Sequence, residues 1–111
     1  MKPKLFGSSG IRGLANKDIT TTLAQHVGAA IATMNHGGQI VVGYDARISG
    51  PMLEMALSSG LNAAGADVIQ VGLVPTPVTA WMIGETGSDA GVEVTASHNP
   101  PQYNGLKVFN R

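Results

Sequence analysis

Residues 39–71 read QIVVGYDARISGPMLEMALSSGLNAAGADVIQV, and the succession of patterns along them decides the fold. Gln39-Ile40-Val41-Val42-Gly43-Tyr44 is a short run rich in β-branched residues, as in a buried strand. Asp45 through Gly50 reads as a loop. Pro51 suits the first turn of a helix, where its missing N–H is no loss, and Ser49 or Gly50 can cap it. Leu53, Ala56, Leu57, Gly60, Leu61 and Ala64 then fall on one helical stripe that stops near Gly65. Asp67-Val68-Ile69-Gln70-Val71 is a second strand-like run. Two such runs joined by a helix form a parallel pair, since parallel strands need a crossover connection.

The same alternation continues on both sides. Upstream, residues 21–35 carry Leu23, Val27, Ala30, Ile31 and Met34 on one helical face, with Thr20 or Thr21 as the cap and Gly37-Gly38 as the stop. Downstream, Leu73 through Thr76 is a loop. Thr76-Pro77 reads as a capped start of a short helix through Trp81, Met82 and Ile83 toward Gly87. Trp81 belongs to the core or to an interface. Asp89–Thr95 and Leu106–Phe109 are two more strands. The expected fold is α/β, a three-layer α/β/α sandwich around a mostly parallel four-stranded sheet, with residues 1–111 as a single domain. Right-handed crossings put the strand-to-helix loops at one edge of such a sheet. The loops bearing Asp45 and Arg47, Pro75 and Thr76, and Ser97 and His98 are then expected to converge on one site.

Composition removes several classes of function. Seven basic residues balance seven acidic ones, which provides no basic stripe for nucleic acid and no polybasic patch for a membrane. Cysteine is absent, so disulfides, thiol nucleophiles and thiolate metal sites are out. No window approaches the ~20 apolar residues of a spanning helix, and the amino terminus lacks a signal-like apolar run. A cytoplasmic setting is expected. Charged residues are only 13% of the chain, against roughly 25% in ordinary soluble domains. That deficit is expected to leave surface that packs against further domains or a second subunit. The final strand-like segment, ending shortly before Arg111 with no closing element, points the same way.

The chemistry lies in Thr95-Ala96-Ser97-His98-Asn99-Pro100 and the following Tyr103-Asn104-Gly105-Leu106-Lys107. Asn99-Pro100-Pro101 interrupts regular structure, so Ser97 is expected in a loop past a strand's carboxyl end. A serine hydroxyl is a weak nucleophile without a neighbouring base or cation. His98 and Lys107 are candidates for that assistance. No G-x-S-x-G elbow surrounds Ser97, which disfavours acyl transfer. Phosphoryl transfer needs positioning and positive charge instead, and Arg and Lys supply both. The Gly7–Gly13 segment contributes Arg12, with Ser8 and Ser9 among glycines that let a phosphate approach the backbone. Asp45 and Arg47 read first as a loop-ordering pair and so as structural support.

Thr95–Pro100 is similar to the phosphoserine loop of the α-D-phosphohexomutases. Phe6–Gly13, Val42–Arg47 and Val74–Pro77 resemble further segments of that family in the same order, and the resemblance is to the first of its four domains only. It implies that Ser97 carries a phosphoryl group and donates it to a hexose 1- or 6-phosphate. A bound hexose 1,6-bisphosphate forms, reorients, and returns a phosphoryl group to Ser97. The implied substrates are glucose or mannose phosphates, with glucosamine phosphate as the alternative. His98 would orient substrate or phosphate, and Lys107 would transfer a proton or stabilise charge. Arg12 would reach the active site, while Ser8, Ser9, Asn99 and Asn104 would bind substrate or phosphate. Ser8 and Ser9 depart from the threonine and the acidic residue usual in the family segment. Mg2+ would be held through the phosphate on Ser97, its other ligands lying in domains outside this chain, or in a complementing chain. Without those domains the isolated chain is expected to be inactive. Two other readings remain open from the residues: a non-catalytic phosphosugar-binding subunit or remnant, and a generic phosphate-binding module.

Overall fold

The computed structural model describes residues 10–111. Its elements run β1 (Ile11–Leu14), α1 (Thr21–Met34), β2 (Gln39–Tyr44), α2 (Gly50–Ala63), β3 (Asp67–Leu73), α3 (Thr76–Thr86), β4 (Ala90–Val94) and β5 (Tyr103–Asn110). The strands form one sheet in the order β1-β5-β4-β2-β3. β2 pairs in parallel with β3 and β4, whereas β5 is antiparallel to both β4 and β1. The layered α/β class expected from the sequence stands, but the sheet has five strands and is mixed. The extra strand, Ile11-Arg12-Gly13-Leu14, is too short and too rich in glycine around it to read locally as a strand. It exists through its pairing with Tyr103–Leu106.

Local signals act largely where the sequence puts them. The Thr20 hydroxyl accepts the Leu23 N–H at 3.0 Å and caps α1, and Gly87 ends α3 in the left-handed conformation. Two caps differ. Ser49 precedes α2 without a capping bond: its backbone is already helical, not extended as at a cap, and its hydroxyl accepts Asn104 Nδ2 at 2.7 Å. Thr76 is already helical, and Pro75 occupies the cap position of α3.

The two faces of the sheet are unequal. α1 and α2 bury one face, with Ile40, Val42, Val92, Val94 and Leu106 meeting Val27, Ile31, Leu53, Leu57 and Leu61. α1 and α2 approach closely through Gly28 and Gly60, since a Cβ at either would strike the backbone of the other helix. α3 alone covers the opposite face, over β2 and β4. There Ile83 lies over Gly91, and Thr79 over Gly43. β5 extends past this cover. Trp81 on α3 is 62% exposed, so it is not a core residue. No helix among the described residues is long and apolar enough to cross a membrane.

Candidate functional site

The parallel strands β2, β3 and β4 end at the same edge, and the chain segments leaving them touch. The Asp45 N–H donates to the Val94 carbonyl at 3.2 Å, and the Val74 N–H to the Tyr44 carbonyl at 3.0 Å. Asp45 and Ala46 line one shallow cleft with Val74 and Pro75, and another with Arg47, Asn99 and Pro101. The expected convergence of loops is present.

Ser97 sits at the tip of this edge, exposed, with φ at 52°. A residue with a Cβ holds the left-handed conformation only at a cost of about 1 kcal/mol or more, so its surroundings must impose it. Arg47 does most of this. Its guanidinium donates to the carbonyls of Ser97 (2.9 Å), Asn99 (2.8 Å), Pro100 (2.7 Å) and Tyr103 (2.9 Å). Only a planar fork of donors reaches four carbonyls at once. Asp45 in turn orients Arg47, with Nε 3.4 Å from Oδ2. Asp45 Oδ2 also accepts the Thr95 hydroxyl at 2.6 Å, and that hydroxyl accepts the Ser97 N–H at 3.0 Å. A chain of bonds thus runs from the end of β2 to the backbone of Ser97.

Arg12 reaches the same serine from β1. Its guanidinium donates to Ser97 Oγ and to Asn99 Oδ1, each at 3.2 Å. Arg12 pairs in register with Gly105, which places it on the α3 side of the sheet with Lys107. Ser97 Oγ therefore lies at the edge of a positive field, and a group of added oxygens on it would meet the guanidinium fork.

Among the expected site residues, Ser97, Arg12, Asn99, Asp45 and Arg47 are brought together. His98 is exposed, and no side-chain hydrogen bond reaches it among the described residues. Lys107 is half-buried, with Nζ 5.4 Å from the Phe109 ring centroid rather than bonded to Ser97. Asn104, expected to bind substrate, lies apart from Ser97 in its bonding. It is fully buried, and its side chain is consumed by Ser49 and by the Gly105 N–H at 2.8 Å. It fastens β5 to the start of α2. Ser8 and Ser9 lie outside the described residues.

Sequence reasoning missed two residues. Thr95 reads locally only as the start of the Thr95–Pro100 motif, although its hydroxyl links Asp45 to Ser97. Glu93 is the other. It is fully buried in β4, where burial pushes its carboxyl up to about 7. The 2.6 Å bond donated by Thr79 opposes that rise, and the negative charge of Asp45 adds to it. A lone carboxyl within Ala90-Gly91-Val92-Glu93-Val94 was the available signal.

No three His, Cys, Asp or Glu side chains cluster among the described residues. Asp45, linked to Ser97 through the Thr95 hydroxyl, is engaged by Thr95 and Arg47. These side chains alone do not assemble the octahedral oxygen cage that Mg2+ requires.

Residues 3–111 match the family model described as phosphoglucomutase/phosphomannomutase, alpha/beta/alpha domain I. The chain belongs to this family. It is 52% identical over 108 residues to a probable phosphoglucosamine mutase of Pyrococcus abyssi, covering 97% of this chain and 24% of that protein. It is 48% identical over 112 residues to the phosphoglucosamine mutase of Clostridioides difficile, covering 97% of this chain and 25% of the relative. A crystal structure of a phosphoglucomutase/phosphomannomutase family protein from Burkholderia thailandensis superposes with a TM-score of 0.84 at 39% identity, over 96% of this chain and 26% of that one. The chain thus spans about a quarter of the relatives it matches. As a family member it is matched to domain I of phosphomutase enzymes.

Proposed function

We propose that this chain is the phosphoserine domain of a phosphohexomutase, and that Ser97 Oγ is the atom that carries the phosphoryl group. The observation that supports this most is the Arg12 guanidinium on Ser97 Oγ, while Arg47 holds the loop in its left-handed turn. In the forward step the Oγ–P bond of phospho-Ser97 breaks and a bond forms from phosphorus to a hydroxyl oxygen of a hexose phosphate. The hydroxyl proton passes to a base, the role given to Lys107. In the return step Ser97 Oγ attacks the other phosphoryl group of the resulting 1,6-bisphosphate. Arg12 stabilises the equatorial oxygens in both directions, and His98 orients the incoming phosphate.

Glucosamine phosphate is the substrate best supported, since relatives 48% and 52% identical over nearly all of this chain carry that name. Glucose and mannose phosphates are the alternatives. A phosphate on Ser97 would supply oxygen to Mg2+, and the other ligands would come from the part of the relatives that this chain does not span. The same part supplies the remaining sugar contacts, so residues 1–111 by themselves are inactive. Exposed Leu73, Trp81 and Val108 and an apolar groove of about 440 Å³ between α1 and β5 are consistent with surface meant for further chain. The absence of cysteine suits a cytoplasmic enzyme.

The test is exposure of the full-length protein to glucosamine 1,6-bisphosphate and glucose 1,6-bisphosphate with Mg2+, followed by peptide mass mapping. One phosphoryl group on the Ser97 peptide is expected, absent in Ser97→Ala. Arg12→Ala should slow its uptake about 100-fold. Phosphorylation elsewhere, or none, would overturn the proposal.

A further inference from the structure

Glu93 has no place in the chemistry above, yet it occupies a made-to-measure position. Its carboxyl is fully buried against Thr79 of α3, and Gly43 of β2 leaves the space for it. A Cβ on Gly43 would come within 2.7 Å of Glu93 Oε1 and 3.0 Å of Val74. Oε1 accepts the Thr79 hydroxyl at 2.6 Å. Oε2 is the one buried side-chain polar atom without a hydrogen-bond partner among the described residues. A buried carboxyl oxygen left unpaired carries a desolvation penalty that a nearby donor would remove.

Such a donor stands directly across the sheet. Glu93 and Lys107 are register partners in the antiparallel pair of β4 and β5. Partners of this kind share a face, with Cβ atoms about 5 Å apart. α3 packs on β2 and β4, so that helix does not stand between Glu93 and Lys107 on the neighbouring strand β5. On the other flank of Lys107, Gly10 carries no side chain, and a Cβ there would lie 2.9 Å from Lys107 Cα. Among the described residues the ammonium meets the half-buried Phe109 ring, and a cation over a ring is held more weakly than one hydrogen-bonded to a carboxylate.

We propose that Glu93 is a positioning residue for Lys107: its unpaired Oε2 receives the Lys107 ammonium and holds it on the sheet face from which Arg12 reaches Ser97. The positioning role rests on the reading of Lys107 as the proton-transfer group; the pairing itself does not. Because Arg12 and Lys107 share that face, the carboxylate also offsets one of two neighbouring positive charges. Protonation of Glu93 releases Lys107 toward Phe109 and solvent, and ionisation draws it inward. The groups that face Glu93 are few. Among the described residues β2 presents Gly43, α3 presents neutral Thr79, the segment after β3 presents Val74, β5 presents Lys107, and Asp45 contributes a negative charge.

The test is a carbon-13 titration of the Glu93 side-chain carboxyl in the 111-residue chain, in the parent, Lys107→Met and Lys107→Arg. If the pair forms, Lys107→Met raises the Glu93 midpoint by about one pH unit, and Lys107→Arg restores it. An unchanged midpoint in Lys107→Met overturns the proposal. Should that variant fail to fold, Lys107→Gln serves with the same expected shift. No turnover enters the measurement, so loss of the pairing leaves the mutase reading intact. Equally, an unphosphorylated Ser97 would leave the pairing in place and remove only its catalytic purpose.

Discussion

The guanidinium of Arg47 lies 2.9 Å from the carbonyl oxygen of Ser97, across 50 residues of sequence. It makes three further bonds to carbonyls of the same loop, so the turn that presents Ser97 is dictated from the end of β2. Arg47→Ala strands those carbonyls and leaves Asp45 without its cation, in a site where the Arg47 side chain is 10% exposed. The expected loss is about 3 kcal/mol in chemical denaturation. Limited proteolysis should then cut within residues 95–103. Arg47→Lys should recover only part of this, because an ammonium cannot span four carbonyls. A loss under 1 kcal/mol would show that the loop holds its own shape.

Ser97 separates strain from chemistry. Both Ser97→Ala and Ser97→Gly delete the hydroxyl, but only glycine relaxes a backbone at φ 52°. The glycine variant should be more stable than the alanine variant by about 1 kcal/mol. Neither should accept a phosphoryl group from a bisphosphate donor in the full-length protein. Equal stabilities would mean that the turn is unstrained.

Glu93 sets the sign of a pH dependence. Burial raises its folded-state value from the ordinary 4.5 to about 7, so the folded chain holds this proton more tightly than the unfolded one. Its contribution is complete below 4.5 and is lost as pH rises through about 7. Buried Glu54 acts in the same direction, raised by desolvation against the opposing bonds to Gln70 and Ser58. Thermal midpoints should therefore fall as pH rises from about 5 to 8. Glu93→Gln, which keeps an acceptor for Thr79, should remove most of that slope and leave the part due to Glu54. A slope unchanged by Glu93→Gln would place the titration elsewhere.

Gly60 tests how α1 and α2 fit. Its missing Cβ admits the backbone of Gln25 at the crossing, and Gly28 does the same toward Leu57. Gly60→Ala gains helix propensity yet forces the helices apart, for a net loss of about 2 kcal/mol. Gly84→Ala, also helical but with open space around its Cβ position, is the control and should be neutral or stabilising. If both variants behave alike, the close approach carries no energetic weight.

The sequence alone determined the alternation of helices and strands, because apolar periodicity, Thr20, Pro51 and Gly87 act on neighbouring residues. Two contiguous segments, Thr95–Pro100 and Gly7–Gly13, also pointed to Ser97 and Arg12 as candidates for the chemistry. What tertiary structure decided were relations between segments far apart in the chain. Ile11–Leu14 became a strand only by pairing with β5, and that pairing carried Arg12 to Ser97. Asn104 became a buried fastener because Ser49 met it. Arg47 became the loop's organiser, and Glu93 came to stand opposite Lys107. Short-range preferences are written in local side chains, whereas a hydrogen bond between distant residues depends on where the whole sheet sets their backbones.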